Sequence, residues 1–151
     1  MLDVSNIRHN NDVWEVTWKF EDDSFQTLKT IAEELNYNAG ATVFSEGDAA
    51  DGMYLILEGT ALVIRKSKSG EERTVAILNE EQSFGELGLL VDRPRAATVA
   101  AGTDLKVLKI TSTVLSLLHK SAPDMAYMIY QVLARTLAEQ LLHTQDMQRP
   151  D

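Results

Sequence analysis

The chain has 151 residues, 44% of them hydrophobic and 25% charged, and a formal net charge of −9, the size and balance of one soluble domain that can bury a core without staples. It has no cysteine, which excludes disulfides, thiolate metal ligands and a cysteine nucleophile, and its negative charge disfavours non-specific contact with nucleic-acid phosphate. No run approaches the roughly 20 apolar residues of a membrane helix, and the opening MLDVSNIRHNND lacks the apolar stretch of a signal peptide, so a cytoplasmic location with no membrane partner is expected.

Residues 1–23 form an N-terminal arm or element whose structure the pattern leaves open. Trp14, Val16, Trp18 and Phe20 alternate with polar residues as in a strand, while Trp14 and Trp18 also sit four apart as on a helix face. The element either covers the core or docks on another subunit. From residue 24 to 151 the chain reads as one domain. Ser24 is placed to cap a short helix carrying Phe25, Leu28 and Ile31. Short β-branched and aromatic runs follow at Thr42–Phe44, Met53–Leu57, Ala61–Arg65, Thr74–Leu78, Ala97–Ala101 and Leu105–Ile110, with glycines 40, 47, 52, 59, 70 and 102 between them. Many short strands at near-regular spacing predict a closed or double-layered antiparallel sheet. The polar stretch Lys66–Arg73 around Ser69-Gly70 predicts a solvent-facing hairpin tip. Val114, Leu115, Leu117 and Leu118 predict a short helix. Pro123 then suits the first turn of a second, running to about Thr144, with an apolar stripe from Met125 and Ile129 to Leu137, Leu141 and Leu142.

Phe84 to Val99 reads FGELGLLVDRPRAATV. Gly85 and Gly88 let the backbone approach a ligand and can leave amides pointing at an anion. Leu87 to Leu90 suit a short helix whose first amides also favour negative charge. Glu86 is an acceptor fit for sugar hydroxyls, and Arg95, set by Pro94, presents a planar cationic fork for phosphate. Ala96 and Ala97 are small enough for their backbone to reach the same ligand. Together these make a compact sugar-phosphate site. The same residues also fit a plain apolar core with a surface ion pair between Glu86 and Arg95, and the chemistry alone leaves both readings open.

The segment resembles the phosphate-binding cassette of the cyclic-nucleotide-binding domains, the family of the cyclic-AMP-dependent kinase regulatory subunit and the bacterial catabolite activator. The family pattern F-G-E-L-x-L-L, a short loop, then P-R-A-A-T-V is filled at Phe84, Gly85, Glu86, Leu87, Leu89, Leu90 and Pro94 through Val99. The resemblance extends from Ala39-Gly40 through Glu46-Gly47-Asp48 and Tyr54–Gly59 to the helix after Pro123. It implies a mainly β fold with flanking helices: an antiparallel β-roll, jelly-roll-like, followed by a short helix and a long C-terminal helix. It implies that Glu86 accepts from the ribose 2′-hydroxyl, that Arg95 pairs with the cyclic phosphate helped by the Ala96 amide, and that Gly85, Leu87, Gly88 and Ala97 line the pocket. Gly88 stands where kinase-type cassettes carry alanine and the bacterial activator carries glycine. Ala96 stands where cyclic-GMP-preferring relatives tend to have threonine, so cyclic AMP is the expected ligand, with cyclic GMP second. Gln140 on the last helix is the candidate lid over the base.

The function this implies is a regulatory module without catalysis or cofactor, acting through an unknown protein effector or through its own homodimer on the C-terminal helix. The alternative is a degenerate, non-binding domain of the same fold used for protein interaction. Nine residues follow Leu142, too few for a helix-turn-helix, so no DNA contact is expected. His9, His119 and His143 lack metal-ligand spacing, so no metal is expected.

Overall fold

A computed structural model describes residues 8–10, 13–15 and 23–147. In chain order the elements are β1 (Arg8–Asn10), β2 (Val13–Glu15), α1 (Asp23–Ile31), β3 (Glu33–Tyr37), β4 (Thr42–Phe44), β5 (Met53–Glu58), β6 (Ala61–Lys66), β7 (Glu72–Leu78), β8 (Ser83–Phe84), β9 (Thr98–Ala101), β10 (Leu105–Ile110), α2 (Ser112–Ser121) and α3 (Pro123–Met147). Strands β3 to β10 form two four-stranded antiparallel sheets, ordered β3-β10-β5-β8 and β4-β9-β6-β7. This is the double-layered roll, closed by helices at one side.

The strand pattern explains the layering, because alternate residues of a strand face opposite sides. On β5, Met53 and Leu55 point to the helices, while Tyr54 and Ile56 point between the sheets. On β10, Leu105 and Val107 face the roll interior and Leu108 and Ile110 face the helices. The helix-side core joins Phe25 and Leu28 of α1, Leu115 and Leu118 of α2, and Met125, Ile129, Val132 and Leu133 of α3, all buried. Thr111 caps α2 by accepting from the Val114 amide at 3.2 Å. The hairpin between β6 and β7 turns through Gly70, with the Ser67 amide donating to the Glu71 carbonyl at 2.8 Å, and its tip is exposed.

Several details differ from the sequence reading. Strand β3 is not in the sequence reading, which also gives the strand before Gly85, β8, no residue range. β3 (EELNY) is acidic and, among the described residues, lies at a sheet edge and pairs with β10 alone, while β8 is two residues long, too short for any periodicity. α1 begins at Asp23, so Ser24 lies within its first turn instead of capping it. The expected helix at Leu87–Leu90 is a 3₁₀ turn at Glu86–Leu89. α3 runs past Thr144 to Met147, and its apolar stripe splits: the part to Leu133 is buried, while Leu141 and Leu142 are 60% and 55% exposed. In the N-terminal arm, Trp14 sits in a strand, with His9 opposite it, and β2 runs alongside β7 and α3. Val16, Trp18 and Phe20 lie outside the described residues. Among the described residues no helix is long and apolar enough to cross a membrane, and no cluster of three His, Asp or Glu could hold a metal ion.

Candidate functional site

Strand β8 ends at Phe84, and Gly85 then takes the left-handed conformation, φ +74°, that a side chain rarely adopts. This turns the chain into the 3₁₀ turn Glu86–Leu89. At Gly88 the constraint is space: a Cβ there would lie 2.7 Å from the Gly52 carbonyl oxygen and 2.9 Å from Nη1 of Arg95. The glycine thus permits the close approach of the loop before β5, and a side chain there would push that loop or Arg95 aside.

Arg95 is 6% exposed. Its Nη1 donates to the Gly85 carbonyl at 3.1 Å, and its Nη2 donates to the Gly52 carbonyl at 2.8 Å and to Asp51 Oδ1 at 3.4 Å. The guanidinium lies 4.1 Å from the centre of the Phe44 ring, a cation–π contact. Its main chain is clasped as well: the Arg95 amide donates to the Asp48 carbonyl at 2.8 Å, and the Gly47 amide donates to the Arg95 carbonyl at 2.9 Å. An arginine has five N–H donors, and three are used. Nε is buried and has no acceptor. A buried donor without a partner is costly, and a phosphate oxygen is the acceptor best matched to it.

Asp51 ties this arrangement to β10, because its second oxygen accepts from Lys109 Nζ at 2.6 Å. That hydrogen bond, assisted by the lysine and arginine charges, holds the Asp51 carboxyl below its ordinary range. Phe44, Asp51 and Gly52 were not singled out from the sequence. The Glu46-Gly47-Asp48 stretch of the family pattern was the nearest signal.

Glu86 accepts from Ser83 Oγ at 2.8 Å. Burial pushes its carboxyl above the ordinary 4.5, while its own backbone amide, Ser83 and the Arg95 charge pull the other way without prevailing. No ion pair joins Glu86 to Arg95 among the described residues, so the reading of the two as a surface pair fails. Both instead line one cavity of about 450 Å³ together with Gly85, Leu87, Gly88, Ala96 and Ala97, which are all seven residues expected to bind ligand. Val63, Leu78, Val91 and Val99 supply apolar wall. The side chain of Gln140, the lid candidate, lies outside the described residues. The cavity thus offers a cationic donor, a carboxylate acceptor and an apolar wall, which suit a phosphate, a sugar hydroxyl and a base.

Residues 34–121 match the family model described as "Cyclic nucleotide-binding domain". The chain belongs to the cyclic-nucleotide-binding domain family. This domain is 42% identical over 78 residues to a cAMP-dependent protein kinase regulatory subunit from Aspergillus niger, covering 52% of this chain and 18% of that protein. It is 32% identical over 103 residues to a cyclic AMP receptor protein from Thermus thermophilus, covering 68% of this chain and 48% of that one. It therefore spans about a fifth to a half of these relatives. Among solved structures, the Thermus thermophilus catabolite activator protein superposes with a TM-score of 0.74 at 27% identity, covering 85% of this chain and 62% of that one. The two-sheet roll with its flanking and C-terminal helices is the fold of this family.

Proposed function

We propose that this domain is a regulatory module that binds cyclic AMP in the cassette cavity and acts without catalysis or a further cofactor. The observation that carries the reading is Arg95, which lines the cavity and is buried, braced by two carbonyls and Asp51, with a buried Nε donor that has no acceptor. The cyclic phosphate takes Nε and the Ala96 amide. The ribose 2′-hydroxyl donates to Glu86. The base lies against the apolar wall of Val63, Leu78 and Val91. Ala96 offers no hydroxyl to a guanine, which favours cyclic AMP. Competition against bound cyclic AMP tests this preference: cyclic GMP displaces it only at higher concentration, and equal potency removes the preference.

The response to binding passes through the 3₁₀ turn. Leu89, in the same four residues as Glu86 and Gly88, packs on the helix-side core that includes Val132 and Leu133 of α3. A phosphate that pulls this turn inward changes the surface on which α3 rests. α3 then closes over the base, with Gln140 or a neighbour meeting the purine. A ligand shifts such an equilibrium only by its difference in affinity for the two states, and about 1–3 kcal/mol of coupling is ordinary. Tyr127, Tyr130, Leu141 and Leu142 on α3 are exposed and offer an apolar face for a homodimer or a protein effector. Hydrogen exchange over residues 123–145 reports the switch: protection changes on saturation with cyclic AMP, and unchanged protection leaves α3 a fixed element.

A further inference from the structure

The cavity has a cationic mouth that the cassette does not account for. Arg65, on β6, and Arg93, in the loop before Pro94, both line the cavity, and both are exposed. Arg65 stands directly opposite Arg73 of β7 in the antiparallel register, so the two side chains share a face of the sheet with their Cβ atoms about 5 Å apart. Like charges so placed oppose folding. Among the described residues none of the three arginines makes an ion pair; the neighbouring acid Glu72 pairs with Lys66 at 4.0 Å. Glu86, the carboxylate of the cavity wall, is turned to Ser83. Two exposed arginines, Arg65 and Arg93, thus line the opening, with Arg73 beside Arg65 across the strand pair, in a chain whose formal net charge is −9.

We propose that Arg65, Arg73 and Arg93 form an electrostatic vestibule that guides the anionic nucleotide to Arg95. This rests on the reading of the cavity as a cyclic-nucleotide site. The overall charge of the chain repels an anion, and a cleft lined by one sign of charge focuses the field and raises association rates by about 10- to 1,000-fold. Arg95 itself is poorly placed for this: it is buried, and two carbonyls and Asp51 already engage it. Capture and retention are therefore divided, with the exposed arginines setting the on-rate and the buried one the off-rate.

Stopped-flow binding of cyclic AMP carrying a fluorophore, to the full chain, tests the division. The triple variant Arg65→Gln, Arg73→Gln and Arg93→Gln should associate about tenfold more slowly at low salt with an off-rate within twofold of wild type. The difference should vanish in 1 M salt, where the screening length is about 3 Å. The corresponding triple lysine variant, which keeps charge and loses the planar fork, should associate as wild type does. An unchanged on-rate in the glutamine variant, with wild type binding normally, overturns the vestibule alone. So does a loss confined to the off-rate, which would make the arginines direct contacts. A wild type that binds no nucleotide overturns the site reading and the vestibule together.

Discussion

Replacing Arg95 with alanine should weaken cyclic AMP binding by roughly 30- to 4,000-fold, the range set by truncating one side of a buried charge pair at about 2–5 kcal/mol. Phosphate would face glycines and amides with no cation beside it. The side chain also donates to the Gly85 and Gly52 carbonyls, so part of the loss comes from slackening the cassette against the loop before β5. Arg95→Lys separates the two contributions. It keeps the charge but has no rigid fork to serve Gly85, Gly52 and a phosphate at once, so its affinity should fall between wild type and Arg95→Ala. Titration of the three proteins checks the order. Equal affinity for Arg95→Ala and wild type would place the phosphate elsewhere.

Glu86 should give opposite results for binding and for stability. Glu86→Ala removes a charge-assisted hydrogen bond to the ribose, worth about 1.5–3 kcal/mol, or roughly 10- to 150-fold in affinity. Glu86→Gln keeps an acceptor and should lose less. In the free protein the carboxyl is held above its ordinary 4.5 by burial, so the folded state binds the proton more tightly than the unfolded chain does. Stability therefore rises as pH falls through the raised folded value, with the gain complete below the unfolded value of 4.5. Above the folded value the full cost of the buried carboxylate is present. Glu86→Gln should accordingly melt higher than wild type at neutral pH and lose this pH dependence. Binding has the reverse sign. The ribose hydroxyl donates to the charged form, so cyclic AMP affinity should drop as pH falls through the same window. Calorimetric melting and titration across that window check both, and a Glu86→Gln protein less stable than wild type at neutral pH would contradict the burial argument.

The cassette was legible in the sequence because its chemistry is contiguous. Glu86 and Arg95 are nine positions apart, and the glycines, proline and alanines that shape the loop stand between or beside them. Strands β5 and β10 were legible as short runs rich in apolar and β-branched residues bounded by glycine turns. What was not legible acts across distance. Gly52 serves Arg95 through a carbonyl that any residue type possesses, and Phe44 and Asp51 meet it from more than 40 positions away. Arg65 and Arg73 become neighbours only through strand register. β3 carries acidic residues because it lies at an edge, and hydrophobic patterning does not mark such a strand. The splitting of the broad α3 stripe beyond Leu133 is not legible in the sequence, since periodicity shows which face is apolar and not how much of that face the rest of the domain covers.

Titration calorimetry of the full chain with cyclic AMP tests the central claim most directly. The account predicts saturable binding with one nucleotide per chain, tighter than for cyclic GMP and lost in Arg95→Ala. No heat of saturable binding with either nucleotide at about millimolar concentration, a dissociation constant corresponding to only about −4 kcal/mol, would contradict it.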